Sequence, residues 1–307
     1  MSGDPKAPSS RTGSEVVIPP ASAFERCGDP ISSARLAQEQ VTVWRPAYLP
    51  GVEIWSIANS ARLWTMLFDC HSFSGQDQGN AHWHVTHNTL YYRKRTLTVR
   101  GRDLLLGSPG EISRVLDTGH NVPFHAVNVF PEAAADYAPE LSGFALRALD
   151  DERAYHSFTR AWRAVEAPDL DITERESHLR AFLHCAFELT LGAQTPSSAT
   201  GCERSVQRAR EFIHDRYADS IALSDIARAA ERSVWYLERS FAASIGAPIH
   251  VYLRHVRLAR AMELLRLGDK ASQVSSAAGF SDQAHMTRTF RRCLGVTPGV
   301  YQRALQR

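Results

Sequence analysis

The stretch Asp282-Gln283-Ala284-His285-Met286-Thr287-Arg288-Thr289-Phe290 is a short helical pattern that the chain contains twice. The first copy is Ser233-Val234-Trp235-Tyr236-Leu237-Glu238-Arg239-Ser240-Phe241. Subtracting 237 from 286, or 252 from 301, gives the same offset of 49 for Leu237 and Met286 as for Tyr252 and Tyr301. The repeat predicts two equivalent helices, each with polar residues on one face. Two such helices at a fixed separation suit a protein that reads two stretches of one DNA groove.

The first copy is the second half of a predicted helix-turn-helix. Residues 221–230 form a compact amphipathic helix, a polar turn follows, and Ser233 is a good N-cap for the next helix. In that helix, the first reading helix, Leu237, Phe241 and Ile245 lie on one face and are expected to pack inward. The opposite face carries Trp235, Glu238, Arg239 and Ala242.

The second copy repeats this design. A helix over 273–278 is followed by a turn at Gly279-Phe280, and the second reading helix opens at Ser281 or Asp282. Its predicted inward residues are Met286, Phe290 and either Cys293 or Leu294. Arg288 can donate two hydrogen bonds to guanine and Gln283 can bind adenine. Arg291 and Arg292, at the helix end, are expected to hold phosphate.

Between the copies, Pro248 begins a long predicted helix that ends at about Leu267, before Gly268. Leu258, Ala261, Met262 and Leu265 give this helix an apolar stripe. About 18 residues at 1.5 Å each span roughly 27 Å. Because one major groove recurs about every 34 Å, this rod is expected to hold the two reading helices about one turn apart, so that one chain reads an asymmetric site.

The segment from Gly279 to Arg292, with its closing residues Gly295 to Tyr301, resembles the AraC-type (AraC/XylS) family of bacterial transcription regulators. The resemblance covers about a hundred residues and includes the first copy. One departure is Ser275, where the family usually has alanine. The resemblance implies that outward residues of both reading helices approach bases: Trp235, Tyr236, Glu238, Arg239, Gln283, His285, Thr287 and Arg288.

Some of these residues also have structural readings. Trp235 can be a core aromatic, Glu238 can be a solvated or salt-bridged side chain, and His285 allows either reading. Phe241, Phe290, Tyr252 and Tyr301 are interpreted as core.

Charge separates the two halves of the chain. Residues 202–307 contain 17 Lys and Arg against 10 Asp and Glu, a net charge of +7. Of the totals of 35 basic and 33 acidic residues, 18 and 23 remain for the rest, a net charge of −5. A basic C-terminal module beside an acidic N-terminal one predicts a polyanionic partner, double-stranded DNA, for the former alone.

Composition excludes several other classes of protein. No apolar run reaches 18 residues, so no membrane partner is expected. The five cysteines are scattered without C-x-x-C spacing, which argues against a zinc site or a disulfide framework. These features predict a cytoplasmic protein without a cofactor or metal. A DNA-alkylation-repair role is disfavoured because its clustered cysteine ligands are missing.

The N-terminal half is predicted to contain short strands. Residues 62–70 alternate, with Trp64, Met66 and Phe68 on one face, and residues 91–99 and 103–106 are further candidates. Turn residues between them suggest a small barrel or sandwich. Residues 141–165 and 174–191 lack strand alternation. In the second stretch Leu179, Phe182 and Phe187 form a helical stripe, either a dimer face or core that covers the barrel.

His82-Trp83-His84 resembles the first metal-binding motif of cupin barrels, and Gly101 to Glu111 resembles the second. Ser113 stands where the second cupin motif has a histidine, and no glutamate follows His84 at the spacing usual in cupins. A metal-dependent cupin enzyme fused to a DNA-binding module is therefore the alternative, and the leading hypothesis has no catalytic residues. The candidate contacts for a small-molecule effector are Trp64, Phe68, His82, His84 and Tyr91.

The predicted fold is multidomain. It has a mainly-β, cupin-like barrel with trailing helices and a C-terminal all-α domain with two helix-turn-helix motifs joined by a long helix. The predicted boundaries are a disordered leader over 1–34, an effector or dimerisation domain over 35–191, a linker over 192–202 and a DNA-binding domain over 203–307. Besides DNA and an effector, the expected partners are a second copy of the chain and, for an activator, RNA polymerase.

Overall fold

The computed structural model of the chain describes residues 40–58, 63–76, 87–93, 95–117, 123–141, 144–191 and 201–305. The predicted leader over 1–34, the pair His82 and His84, and residues 192–200 of the predicted linker lie outside the described residues. No helix in the described part of the chain is long and apolar enough to cross a membrane.

Two antiparallel sheets form the N-terminal half. The strands are β1 (Gln40–Trp44), β2 (Val52–Ala58), β3 (Thr65–Leu67), β4 (His71–Gln76), β5 (His87–Tyr92), β6 (Arg95–Arg100), β7 (Leu104–Gly107), β8 (Ile112–Asp117), β9 (Phe124–Val129) and β10 (Arg147–Leu149). One sheet has the order β1-β2-β9-β4-β7-β10, and the other has the order β3-β8-β5-β6. The half is therefore mainly β, as predicted, while its likeness to a cupin barrel stays a prediction.

Three helices accompany these sheets: α1 (Pro131–Ala134), α2 (Glu152–Glu166) and α3 (Ile172–Leu191). Side chains alternate along β2, so Ile54 packs with Phe158 and Phe182 of α2 and α3, while Trp55 and Ile57 face the opposite way. The stripe Leu179, Phe182 and Phe187 is fully buried in this core. The stripe therefore covers the sheet and is not a dimer face.

The structure corrects three strand predictions. Within the predicted strand over 62–70, the described residues 63–70 contain only the short strand β3, although Phe68 still exchanges backbone hydrogen bonds with Gly110 and Glu111. The stretch 91–99 is a hairpin, because Arg93 takes a left-handed conformation (φ 42°) and reverses the chain between β5 and β6. The stretch 141–165, predicted to lack strands, contains β10, which pairs with β7. Because the partner strand is distant in the chain, the three residues 147–149 show no alternation of polar and apolar side chains that would predict a strand.

The C-terminal half is helical. It consists of α4 (Gly201–Arg216), α5 (Leu223–Ala229), α6 (Val234–Ile245), α7 (Ile249–Arg266), α8 (Ala271–Ala277), α9 (Gln283–Leu294) and α10 (Pro298–Ala304). The helix α4 begins at Gly201, inside the predicted linker over 192–202, and the domain boundaries stay predictions. The helix predicted over 273–278 begins earlier, at Ala271. The long helix α7 lies between α6 and α8 in the chain and ends where Gly268 takes a left-handed conformation (φ 95°).

Both halves of the helical domain pack against the sheets. Val43, Trp55 and Ile57 share a core with the second helix-turn-helix, α8 and α9. Ile112 of β8 shares a core with the first, α5 and α6. The N-terminal domain is thus in contact with both predicted DNA-reading units.

Candidate nucleic-acid interface

The first helix-turn-helix has the predicted local structure. The Ser233 hydroxyl accepts a hydrogen bond from the backbone N–H of Tyr236 at 3.3 Å, which caps α6. The helix ends at Gly246, whose left-handed conformation (φ 88°) is one that glycine adopts readily. Leu237 and Phe241 are fully buried against α4 and α5, so the orientation of the helix is fixed by its inner face.

The outer face of α6 exposes every residue that was predicted to contact DNA. Trp235 is 65% exposed and Tyr236 is 39% exposed. Glu238 and Arg239 are exposed as well. The Arg239 guanidinium lies over the Trp235 ring, with 4.7 Å between its Cζ and the ring centroid. Trp235 is therefore not a core aromatic, and its ring orders the arginine beside it.

The second helix-turn-helix is capped by a different residue. The Asp282 carboxylate accepts a hydrogen bond from the backbone N–H of His285 at 2.6 Å. That bond, together with one from the Ser281 hydroxyl and the charge of Arg288, holds the pKa of Asp282 below its ordinary value. The inner face buries Met286, Phe290 and Cys293, as the repeat predicted. Leu294, the alternative to Cys293, is half-buried.

Two residues on the outer face of α9 have no hydrogen-bond partner among the described residues. They are the side chains of Gln283 and Arg288, and both are exposed. Arg291 and Arg292 are also exposed, in the last turn of the same helix. The end of α9 therefore concentrates positive charge at the surface, which suits phosphate contact.

His285 and Thr287 are less available than the sequence suggested. His285 is half-buried, its Nδ1 lies 3.1 Å from the Ser281 hydroxyl, and its ring meets Phe280 edge-on. Burial first, and Arg288 next, lower the pKa of His285, so its ring is neutral at neutral pH. The Thr287 hydroxyl donates to the carbonyl of Gln283 at 2.8 Å, which leaves mainly its methyl group for a base.

Arg257 of α7 connects the two helix-turn-helix units. Its Nε donates to the carbonyl of Tyr217 at 2.8 Å, and its Nη2 donates to the carbonyl of Asp219 at 2.9 Å. Both acceptors follow α4, in the first half of the domain. Gly279, in the turn of the second unit, lies against Tyr217, Ala218 and Arg257. The relative position of the reading helices is therefore set by these contacts as well as by the length of α7.

The equivalent residues Tyr252 and Tyr301 are both fully buried, as predicted, and each binds an arginine. The Tyr252 hydroxyl accepts from Arg210 Nε at 3.2 Å, and Arg210 Nη2 donates to the carbonyl of Gly110. The Tyr301 hydroxyl accepts from Arg266 Nε at 2.8 Å. Each half of the repeat thus reaches the N-terminal domain through a tyrosine–arginine pair.

The second of these pairs belongs to a buried ionic network between the domains. Arg266 Nε lies 3.1 Å from the Glu53 carboxylate, and Arg266 Nη1 lies 3.2 Å from Asp69. Tyr301 donates to Glu53 at 2.9 Å. Sequence reasoning missed this network, because its members are up to 248 positions apart. The available signals were a glutamate inside the apolar strand β2 and an arginine at the end of an apolar helical stripe.

The candidate effector contacts fall in different places. Trp64 and Phe68 line a cavity between the sheets and α7. Tyr91 is buried on β5 and is not among the described residues that line this cavity. Ser275, the departure from the family pattern, is buried, and its hydroxyl donates to the carbonyl of Ser272 at 3.0 Å.

Comparisons with known proteins agree with this geometry. Residues 226–304 match a family described as a helix-turn-helix domain. Over 193 residues, 60% of this chain, the sequence is 27% identical to the HTH-type transcriptional regulator YbfI of Bacillus subtilis, of which the match spans 69%. Over 93 residues, 30% of this chain, it is 32% identical to the transposon Tn10 TetD protein of Escherichia coli, of which the match spans 67%.

Among solved structures, ToxT from Vibrio cholerae O395 aligns with 88% of this chain and 98% of its own, at 12% identity and a TM-score of 0.48.

Proposed function

This chain belongs to the AraC-type family of helix-turn-helix transcription regulators, and we propose that it reads two neighbouring major-groove segments of one DNA site with α6 and α9. The observation that best supports this proposal is that Arg239 and Arg288 are equivalent residues of the repeat. Both are exposed, both stand at the same place in the repeat, and both lie on helices whose opposite faces are fully buried.

We propose different chemistry for the two reading helices. On α9, Arg288 donates to guanine O6 and N7, Gln283 pairs with adenine, and Arg291 and Arg292 hold phosphate. On α6, Arg239 donates to guanine and Glu238 accepts from cytosine. The exposed rings of Trp235 and Tyr236 meet thymine methyl groups and the sugar edge.

The remaining assigned contacts follow from their surroundings. His285 uses its free ring edge, and Thr287 uses its methyl group. The DNA-reading unit then begins with α4, at Gly201, and continues through α10.

For the N-terminal domain we propose a cupin-like barrel that binds a small molecule without converting it chemically. Binding then changes the activity of the attached DNA-reading unit. Trp64 and Phe68 support this role because they line a cavity that α7 closes. We also propose that the chain forms a dimer with a second copy of itself and that it contacts RNA polymerase, as an activator does. The chain is then a regulator and not an enzyme.

The test is selection of bound duplexes from a random library by the full chain, followed by titration of the selected site. We expect binding to weaken steeply as salt rises, because Arg291 and Arg292 displace counterions. Arg288→Ala is expected to cost roughly 1–3 kcal/mol and to relax selectivity at one base pair, and Arg239→Ala is expected to do the same in the other segment.

Arg216→Ala is the matched control, because Arg216 is exposed on α4 and paired with Asp219 at 2.7 Å. It is expected to leave selectivity unchanged. A uniform loss of affinity over all sequences would assign Arg288 to phosphate, and a library without any enriched site would reject sequence-specific reading.

A further inference from the structure

A cavity of about 100 Å³ lies where the two domains meet. Its walls are mainly apolar. The N-terminal domain contributes Trp55, Ile57 and Phe124, and the DNA-reading domain contributes Leu258, Met262 and Leu294. An occupant would therefore contact the sheet and the helix α7 at once. An engineered apolar cavity of about 150 Å³ in another protein binds benzene, so the smaller volume here limits an occupant to about one ring.

The charged groups at the polar end of the cavity are paired with one another within the protein. Glu53, Asp69 and Arg266 line it. The single guanidinium of Arg266 bonds both carboxylates, and the second Glu53 oxygen accepts from the Trp55 ring N–H at 2.7 Å. Two carboxylates against one guanidinium leave a net charge of −1. At this end the described residues offer no second cation to the carboxylate of a ligand, so an anion buried beside Glu53 and Asp69 would be repelled.

Among the described residues that line the cavity, only His255 has a buried side-chain polar atom without a hydrogen-bond partner. It is 4% exposed, and its Nε2 is buried without a partner there. Burial and the charges of Arg254 and Arg292 lower the pKa of His255 to about 3, so the ring is neutral at neutral pH. A buried polar atom without a partner is destabilising, so a ligand that supplies the missing hydrogen bond is favoured. A hydroxyl group, which can donate or accept, suits either tautomer of the ring.

We propose that this cavity binds an uncharged, mainly apolar molecule about the size of one ring, held by a hydrogen bond between its hydroxyl group and His255. The proposal rests on the proposed function, since it names the class of effector that the regulator senses. Because the walls come from both domains, the bound molecule stabilises the docking of α7 on the sheet. It thereby changes how freely the two reading helices adjust to DNA.

The experiment compares benzyl alcohol with benzoate, which share a ring and differ in charge. Binding to the full chain is followed by tryptophan fluorescence, since Trp55 and Trp64 line the cavity, and by the shift in melting temperature. We expect saturable binding of benzyl alcohol and at least about tenfold weaker binding of benzoate. Toluene, which lacks the hydroxyl group, separates the apolar contribution from that of His255.

Three variants locate the site. Ala126→Leu fills the cavity from β9 and is expected to abolish binding of benzyl alcohol. His255→Leu is expected to weaken benzyl alcohol about tenfold and to leave toluene unaffected. His250→Leu is the control, because His250 is exposed on the same helix. Melting curves without ligand show whether each variant folds.

Binding of benzoate as tight as that of benzyl alcohol would overturn the ligand class. No saturable binding of benzyl alcohol, or binding that Ala126→Leu leaves intact, would overturn the site. DNA titrations are run separately on the same protein. If no duplex is selected while benzyl alcohol still binds, the proposed function fails and the cavity assignment stands.

Discussion

Ser233 and Asp282 occupy the same place in the repeat, 49 positions apart by subtraction, and each caps its reading helix. They differ in one property, because only Asp282 ionises. The pKa of Asp282 is lower in the folded state than in the unfolded chain. The cap therefore contributes its full stability at pH values above the ordinary pKa of an aspartate. That contribution disappears as the pH falls through the lowered folded-state value.

At this scale we predict that Asp282→Ser removes part of the acid sensitivity of the protein. The wild-type chain should lose more stability than Asp282→Ser between about pH 5 and about pH 2, since a serine cap does not titrate. The check is urea denaturation at a series of pH values. Ser233→Asp is the reciprocal variant and should gain acid sensitivity. Parallel pH profiles for all three proteins would contradict the assignment.

The turn between α8 and α9 depends on a glycine for two separate reasons. Gly279 has a left-handed backbone (φ 77°), which side chains other than glycine rarely adopt. In addition, an added Cβ would overlap the carbonyl oxygen of Tyr217. Gly268, after α7, is left-handed too (φ 95°), but no described residue lies within 4 Å of an added Cβ. A comparison of substitutions at Gly279 and Gly268 therefore distinguishes the effect of backbone strain from the effect of close packing between elements.

We predict that Gly279→Ala destabilises the chain more than Gly268→Ala does. Each variant should lose about 1–3 kcal/mol to backbone strain, and Gly279→Ala should lose roughly 1–3 kcal/mol more to overlap with Tyr217. Chemical denaturation of both variants measures the difference. Equal losses would mean that the close approach of the second turn to the end of α4 does not fix the position of α9.

At the scale of the whole molecule, the network of Arg266, Glu53, Asp69 and Tyr301 joins the domains. Glu53 is 1% exposed and the Arg266 side chain is 6% exposed, so neither charge is solvated well. Removing one partner of such a pair leaves an uncompensated buried charge. The integrity of this network therefore bears on whether the two domains unfold together.

We predict that Arg266→Met costs about 3–5 kcal/mol and that adding Glu53→Gln to it recovers part of the loss. Urea denaturation of the two single variants and the double variant tests this. Arg216→Ala is the control, because Arg216 forms an exposed pair with Asp219 at 2.7 Å, and such pairs are worth about 0–1 kcal/mol. Additive losses in the double variant would show that Glu53 and Arg266 are not coupled.

The helices of the C-terminal domain can be predicted from the amino-acid sequence, because their signals are local. The caps at Ser233 and Asp282, the glycine stops and the buried faces of α6 and α9 are local, since each depends on residues within a few turns. Such features also placed Arg239 and Arg288 on outward faces, and the structure agrees. The strands were predicted less well. Arg93 reverses the chain inside one predicted strand, and β10 exists only because β7 is beside it.

The way in which the two domains meet cannot be predicted from local sequence patterns. Glu53 and Arg266 are 213 positions apart, and no periodicity links a strand residue to the end of a helix so distant. The sequence allows two interpretations of the stripe Leu179, Phe182 and Phe187, a dimer face or core. Its packing against the sheet shows that it is core. The cavity beside His255 likewise depends on walls from both domains. The reason is physical: caps and faces are set by neighbours along the chain, whereas burial and ion pairing between domains are set by which surfaces come together.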